Sequence, residues 1–415
     1  MLISLWRSAG FTERSNPMIS PTSPFPVFFA ILLALATARI LIWRFGAPKT
    51  EGRFATIDGL RGYLAFLVFL HHSCIWYFYL RTSEFGSPPS NFMANIGRAS
   101  VSLFFMITGF LFSTKIINEK EKGIDWTKLY VSRILRITPL YLFAMLLLFA
   151  SVAVVSGFTL TQSPITLTVN ALRWIGFSSF GEPDLNGFEG TKLILAGVPW
   201  TLAYEWAFYL CLPLLAVAIG TIPLPPVLII GFIGALDFFQ IHAESRFLAP
   251  FFGGIIAALL CRHTWFRHIA QKRGASLIAI TAIALALTLF PTAYSRIPFA
   301  LLALSFALIA GGATLFGTLT NRLSRMLGEL AYSIYLLHGF ILFTLFNLVI
   351  GKQNSKLLTP LEHWLFISLT TPVLIIVSYT TFRFIEKPAM QYTESVTRWV
   401  RQTIFTRRSV LEEPR

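Results

Sequence analysis

The sequence predicts an all-α protein, a polytopic membrane helix bundle with ten core transmembrane helices and one additional N-terminal helix. Three observations favour this fold class. The chain of 415 residues is 55% apolar and only 13% charged, with a mean hydropathy of +0.67, whereas soluble domains carry about 25% charged residues. Apolar runs of about 20 residues, the length that spans a bilayer, recur along the chain. The basic residues between these runs alternate between a rich side and a poor side.

Eleven apolar runs are candidates for membrane-spanning helices. They lie near residues 26–45, 59–80, 99–114, 139–158, 200–220, 224–241, 247–261, 275–291, 297–317, 329–350 and 364–385. When the connecting segments are assigned to alternating sides, one side holds 23 of the 34 lysines and arginines and the other holds ten. Because cytoplasmic loops are enriched in Lys and Arg, this asymmetry predicts a cytoplasmic C-terminus.

The same pattern divides the chain into a tail (1–25), an extra transmembrane helix with a linker (26–50), a membrane domain (51–390) and a basic cytoplasmic tail (391–415). The net charge of +15 is spread over the loops of a membrane protein, which argues against nucleic-acid binding. Three cysteines without CxxC or metal-ligand spacing argue against a disulfide framework and a metal site. The long loop 159–199 is either an exposed connector or a lid over the substrate.

The run IDGLRGYLAFLVFLHHSCIWYFYL, which begins at residue 57, carries charged and imidazole groups that lipid rejects. Arg61 and His72 are 11 residues apart, so on a helix they share one face, with roughly 16 Å between them along the axis. An imidazole half-way through a bilayer is costly unless it faces a polar cavity, and desolvation favours the neutral form that a general base requires. His72 is therefore a catalytic candidate, whereas His71 points away and is assigned either to helix packing or to supporting the site residues from behind.

Three further stretches place polar side chains in or beside apolar runs. Glu205 in WTLAYEWAFYL either makes a structural hydrogen bond between helices or handles a proton and orients the catalytic histidine. Arg133 and Arg136 in SRILRITPLYL either reach lipid phosphates or hold a ligand phosphate. Tyr335 and His338 in LGELAYSIYLLHGF are neighbours on a helix, and structural and functional roles are equally supported for them.

Taken together, these stretches resemble acyltransferase family 3, integral membrane enzymes related to O-antigen acetylases. DGLRGYLAFLVFLHH is similar to the family's first core helix, in which an Arg and a His are separated by ten residues. LFFMITGFL, RILRITPLY, WTLAYEWAFY, AYSIYLLH and FIEKP resemble its later motifs, with Thr108 and Thr201 where the family usually has Ser. The ordered match spans about 56–388 and lacks the SGNH hydrolase-like domain that many relatives carry.

The resemblance implies that an acyl group, commonly acetyl, moves from cytoplasmic acyl-CoA to a hydroxyl group of a saccharide on the far side of a bacterial inner membrane. The acceptor is O-antigen lipopolysaccharide, another envelope or exported polysaccharide, or another hydroxylated molecule. Acyl-CoA is the donor substrate, and no metal is implied. We expect Arg61, Arg133 and Arg136 to bind the CoA phosphates. The missing SGNH-type domain leaves room for a separate periplasmic transferase as a partner.

Within this reaction we expect His72 to remove the proton from the acceptor hydroxyl or, alternatively, to carry the acyl group. Glu205 or His338 would fix its tautomer, and Tyr335 and Tyr209 are candidate donors to the thioester oxyanion. Two other classes of function stay open. A transporter of a saccharide or a proton would line its path with the same groups without consuming CoA, and a scaffold subunit would use them only to pair helices.

Overall fold

The computed structural model describes residues 20–47, 54–221, 223–240 and 244–411. Within these ranges all regular structure is helical, apart from one isolated bridge between Leu185 and Phe188, which confirms the predicted all-α class. The α-helices are α1 (Phe25–Phe45), α2 (Ala55–Thr82), α3 (Asn91–Glu119), α4 (Trp126–Val155), α5 (Pro164–Ile175), α6 (Trp200–Ala218), α7 (Pro225–Gln240), α8 (Ser245–Leu260), α9 (Thr264–Ala270), α10 (Arg273–Thr288), α11 (Arg296–Gly311), α12 (Arg322–Glu329), α13 (Ala331–Phe343), α14 (Lys352–Lys356), α15 (Pro360–Thr381), α16 (Lys387–Gln391) and α17 (Thr393–Leu411).

Each of the eleven predicted runs coincides with a helix, but not all of these helices have the length of a full span. Seven helical segments of the described chain are long and apolar enough to cross a membrane: α1, α2, α3, α4, α6, Ala331–Val349 and Pro360–Thr403. An eighth candidate is the pair α8 and α9, which is bent by 108°. Three shorter apolar helices, Pro225–Leu236, Arg273–Thr288 and Arg296–Gly311, account for the remaining runs. The chain is therefore an integral membrane protein, and the count of ten core spans stays a prediction.

The start of α4 differs from the sequence-based expectation. The predicted span began at Pro139, but α4 begins at Trp126, with Asp125 as its cap and Pro139 inside the helix. Arg133 and Arg136, expected on one helical face just before the span, therefore lie on the same continuous helix as the span. Pro139 has no N–H group, so the Leu135 carbonyl, four residues earlier, does not receive the usual helical hydrogen bond. Two residues further on, the Ile137 carbonyl accepts a hydrogen bond from the Tyr332 hydroxyl at 2.9 Å.

Helix α2 packs against α3, α12 and α13. At its crossing with α12 the two backbones almost touch: a Cβ atom on Gly62 would lie 2.6 Å from the Leu327 backbone, and one on Gly328 would lie 1.9 Å from the Asp58 carbonyl oxygen. Small residues permit such close helix packing in membranes. This contact fixes the register of α2, and hence the positions of its polar side chains, against the helices that follow α12.

The long loop 159–199 folds into a compact cap. Helix α5 and a 3-10 turn (Thr191–Leu195) lie in it, Trp174 is fully buried and donates to the Pro183 carbonyl at 2.9 Å, and the Asp184 carboxylate accepts from the backbone of Gly190 and Thr191 at 3.0 Å. The 3-10 turn packs directly on α13. The segment is therefore not a plain exposed connector, and its role as a lid stays a prediction.

Candidate active site

A cavity of about 240 Å³ lies between α2, α3, α4, α6 and α13. It is lined by six of the eight residues that the sequence singled out for the reaction: Arg61 from α2, Arg133 and Arg136 from α4, Glu205 and Tyr209 from α6 and Tyr335 from α13. All of them lie on helices that also contribute residues to the apolar core. The structure thus brings together side chains that lie up to 274 residues apart in the chain.

The cavity is strongly electropositive, because three guanidinium groups face a single lining carboxylate. In the described part of the chain, no carboxylate oxygen lies within 4 Å of the three guanidinium groups, since the ion pairs there involve Lys128, Arg246 and Arg401 instead. Arg136 contacts the Met390 sulfur at 3.5 Å, and Arg133 lies 5.3 Å above the Phe112 ring. Guanidinium groups without a bound carboxylate keep their planar donors available for a phosphate or carboxylate ligand.

The Glu205 carboxylate accepts a hydrogen bond from the Tyr209 hydroxyl, one turn further along α6. Both side chains line the cavity. Of the two side chains expected to orient His72, Glu205 and His338, only His338 is hydrogen-bonded to it among the described residues. Glu205 is therefore positioned to balance charge and hold Tyr209 inside the arginine cavity.

His72 and His338 form a hydrogen-bonded pair, with 3.0 Å between His72 Nδ1 and His338 Nε2. His338 is fully buried, and its Nδ1 lies 3.1 Å from the Ile334 carbonyl oxygen. A neutral imidazole that donates from Nδ1 to this carbonyl must accept at Nε2, so His72 donates from its own Nδ1. The hydrogen bonds thus assign a tautomer in which His72 Nε2 carries a lone pair, the form that a general base needs.

Tyr335 contacts both the arginine cavity and this pair. The Tyr335 and Thr201 hydroxyl oxygens are 2.8 Å apart, and both hydroxyls are within hydrogen-bonding distance of the Val198 carbonyl oxygen. Tyr335 lines the cavity, and its ring centroid lies 6.2 Å from that of His338. The hydrogen-bonded side chains of Tyr335 and Thr201, which we call the partition, both line the cavity, whereas His72 and His338 are not among its lining residues.

His71, which the sequence assigned to packing or to support of the site residues, lies against α3. Its Nδ1 is 2.7 Å from the Met93 carbonyl oxygen, so it donates there, and a Cβ atom on Gly97 would lie 2.4 Å from its ring. The imidazole fills the gap at a glycine and satisfies its donor within the protein. Its contacts are those of a side chain that joins α2 to α3.

Sequence reasoning did not assign a role to the buried carboxylate of Glu386. Glu386 is 1% exposed and accepts from the Ser333 hydroxyl, which in turn lies 3.1 Å from Thr381 Oγ1. Glu386 ends a π-helical turn, Phe382–Glu386, a distortion that often marks functional positions. The FIEKP stretch was a signal for this residue, but one sequence does not tell which helix faces it.

These features define a class: an integral membrane helix bundle that encloses a cationic cavity and, next to a polar partition, a histidine pair. Comparison with known proteins agrees with the family that the motifs resemble. The family model described as an acyltransferase domain, that of acyltransferase family 3, matches residues 54–383. The chain belongs to this family and is a membrane acyltransferase, which uses an acyl donor and an acceptor.

A curated relative supports the same assignment. Nodulation protein 10 of Rhizobium leguminosarum bv. viciae is 25% identical over 377 residues, which cover 84% of this chain and 96% of that protein. No solved structure matches the chain.

Proposed function

We propose that this protein is an O-acyltransferase that moves an acyl group, in the simplest case acetyl from acetyl-CoA, to a hydroxyl group of a cell-envelope or exported saccharide. The proposal depends most on one observation, the cavity in which Arg61, Arg133 and Arg136 face inward without a carboxylate partner in the described chain. Coenzyme A presents phosphate groups at one end and the thioester at the other. Phosphate oxygens are the ligands that unpaired arginines bind best.

The donor enters from the Ala55 end of α2, because Arg61 lies in the second turn of that helix. On the proposed topology this end faces the cytoplasm, as does the C-terminus, and the membrane is the bacterial inner membrane. With its phosphates on the arginines, the pantetheine arm points along the cavity towards Tyr335. The thioester then lies at the partition, where the Tyr335 ring is 6.2 Å from the His338 ring.

His72 is the proposed base. Its Nε2 takes the proton of the acceptor hydroxyl, while Nδ1 stays bonded to His338. The hydroxyl oxygen attacks the thioester carbonyl carbon, the carbon–sulfur bond breaks, and the departing thiolate takes the proton from the imidazolium. The Tyr335 hydroxyl is the proposed donor to the developing oxyanion. Glu205 supports the arginine cavity through Tyr209 rather than taking part in proton transfer at His72.

The test is acyl release and transfer by the full-length protein in lipid nanodiscs. We expect labelled acetyl-CoA to lose its acetyl group to water slowly and to a saccharide acceptor faster, and His72→Ala to abolish both while the protein stays inserted and folded. A folded His72→Ala variant with unchanged turnover would remove His72 from the mechanism. Saccharide or proton movement without any CoA release would instead support a transporter, and addition of a separate periplasmic transferase would show whether such a partner completes the reaction.

A further inference from the structure

Three aromatic or imidazole side chains lie on one face of α2 at the end that leads away from the arginine cavity. His72, Trp76 and Tyr79 are at positions i, i+4 and i+7, which are neighbours on a helix. Phe85, from the loop after α2, folds back over them. Its ring lies 6.1 Å from the His72 imidazole at an angle of only 14°, and 6.2 and 5.6 Å from Trp76 and Tyr79, both nearly perpendicular.

The loop that carries Phe85 is held in place at its far end. Arg98 donates to the Ser87 hydroxyl at 2.6 Å and to the Pro291 carbonyl at 2.9 Å. Ser90 caps the start of α3, and two prolines at 88 and 89 restrict the backbone. The Phe85 ring is therefore presented beside His72 by a fixed loop and remains partly exposed.

The same cluster contains a buried donor without a partner. Trp76 is 1% exposed, and its indole N–H has no hydrogen-bond partner among the described residues. An unsatisfied buried N–H is unfavourable, so an oxygen atom of a ligand would be bound there with a gain in free energy. An aromatic face and a free N–H next to a basic imidazole suit a ring-shaped, hydroxylated molecule.

We infer that Phe85, Trp76 and Tyr79 form the acceptor subsite and that its ligand is a pyranose ring. The C–H bonds on one side of a pyranose pack on the electron-rich face of an aromatic ring, while the hydroxyl oxygens accept from donors such as the indole N–H. This arrangement holds one ring hydroxyl at His72. The inference rests on the proposed function, since it assigns the acceptor side of that reaction.

Binding tests the subsite without any catalysis. Saturation-transfer NMR is recorded on the full chain in nanodiscs with methyl glycosides of glucose, galactose and N-acetylglucosamine, and with sorbitol as an acyclic comparison. We expect ring-proton signals from at least one glycoside, weaker signals from sorbitol, loss of the glycoside signal in Phe85→Leu and its recovery in Phe85→Tyr. The matched control is Phe180→Leu, at an exposed position of the loop before the 3-10 turn, which should bind like the parent.

Kinetics with the bound glycoside then separate binding from structure. Loss of the aromatic face should raise the acceptor KM by about three- to tenfold, with a smaller change in kcat, and Phe85→Tyr should restore the KM. Absence of any glycoside signal in the parent protein, or an unchanged KM in Phe85→Leu, would overturn the subsite. Because binding is measured without donor, a protein that binds pyranosides but never releases CoA would refute the proposed function and leave the subsite standing.

Discussion

Replacement of Gly339 by Ala is expected to impair both folding and catalysis, because the added methyl group has no room. Gly339 follows His338 on α13 and faces the 3-10 turn Thr191–Leu195. A Cβ atom there would lie 2.2 Å from the Leu195 carbonyl carbon and 2.5 Å from the Ala196 nitrogen. Both are backbone atoms, so no side-chain rotation relieves the overlap, and the turn has to move away from the helix.

The size of the effect follows from these distances. Carbon atoms in ordinary contact are about 3.5 Å apart, so helix and turn must separate by about 1 Å. Overpacking of this kind costs about 1–3 kcal/mol, whereas Gly to Ala in a helix interior gains roughly 1 kcal/mol. The difference between the two is a loss of up to about 2 kcal/mol in the free energy of unfolding. A shift of about 1 Å at the adjacent His338 should also lower turnover by up to about 100-fold.

The assay combines thermal unfolding in detergent, followed by the fluorescence of the ten tryptophans, with release of CoA from acetyl-CoA in nanodiscs. The matched control is Gly274→Ala on α10, where an added Cβ meets nothing within 4 Å; there only the helix-propensity gain should remain, and the unfolding temperature should stay or rise. A Gly339→Ala protein as stable and as active as the parent would refute the close contact between α13 and the cap.

Three more predictions test other parts of the molecule. Arg136→Ala should raise the KM for acyl-CoA by about 10- to 100-fold, because it removes charge-assisted hydrogen bonds worth about 1.5–3 kcal/mol. The control Arg173→Ala, on the exposed face of α5, should leave this KM unchanged. Equal KM values for the two variants would argue against phosphate binding by the cavity. Thr201→Val should raise acyl-CoA hydrolysis relative to acyl transfer by about fivefold, the equivalent of one lost hydrogen bond, and Thr201→Ser should restore the parent ratio. If neither variant changed this ratio, the partition would not control the access of water to the thioester. Burial raises the pKa of Glu182 from 4.5 to about 7 against the attraction of Lys192. The folded protein therefore keeps a proton that the unfolded chain releases, and its stability falls as pH rises from about 5 to 7. The unfolding temperature of Glu182→Gln should match that of the parent at about pH 5 and exceed it at about pH 8; a parent that is no less stable than the variant at high pH would contradict the shift.

Spacing along single helices predicted much of the site. Arg61 and His72 were expected on one face of a helix, and both point into the protein interior from α2. The i, i+3 relation of Arg133 and Arg136 likewise predicts a shared face, and both line the cavity. Such relations depend only on helix geometry, so the sequence contains them completely.

Contacts between helices were beyond the reach of one sequence. His72 and His338 are 266 residues apart, and their meeting depends on how α2 crosses α12 and α13. The bond between Tyr209 and Glu205 was within reach of the sequence because these residues are i, i+4 on α6. The sequence left open whether Glu205 makes such a hydrogen bond or orients His72, and whether Glu205 or His338 is the orienting group, because that choice depends on how separate helices pack.

The separation of the arginine cavity from the histidine pair has a physical reason within the proposed reaction. A thioester from one side and a hydroxyl from the other have to meet where water is scarce, because a continuous wet passage would expose the acyl group to hydrolysis. In the proposed reaction the hydroxyls of Tyr335 and Thr201, which are hydrogen-bonded to each other, would close such a passage, and breaking this hydrogen bond costs about 1 kcal/mol. Tyr335 also lies beside His338, so its movement would open the route for the thioester and bring a hydroxyl donor to the carbonyl oxygen. A donor that cannot move Tyr335 would then bind to the arginines without reacting.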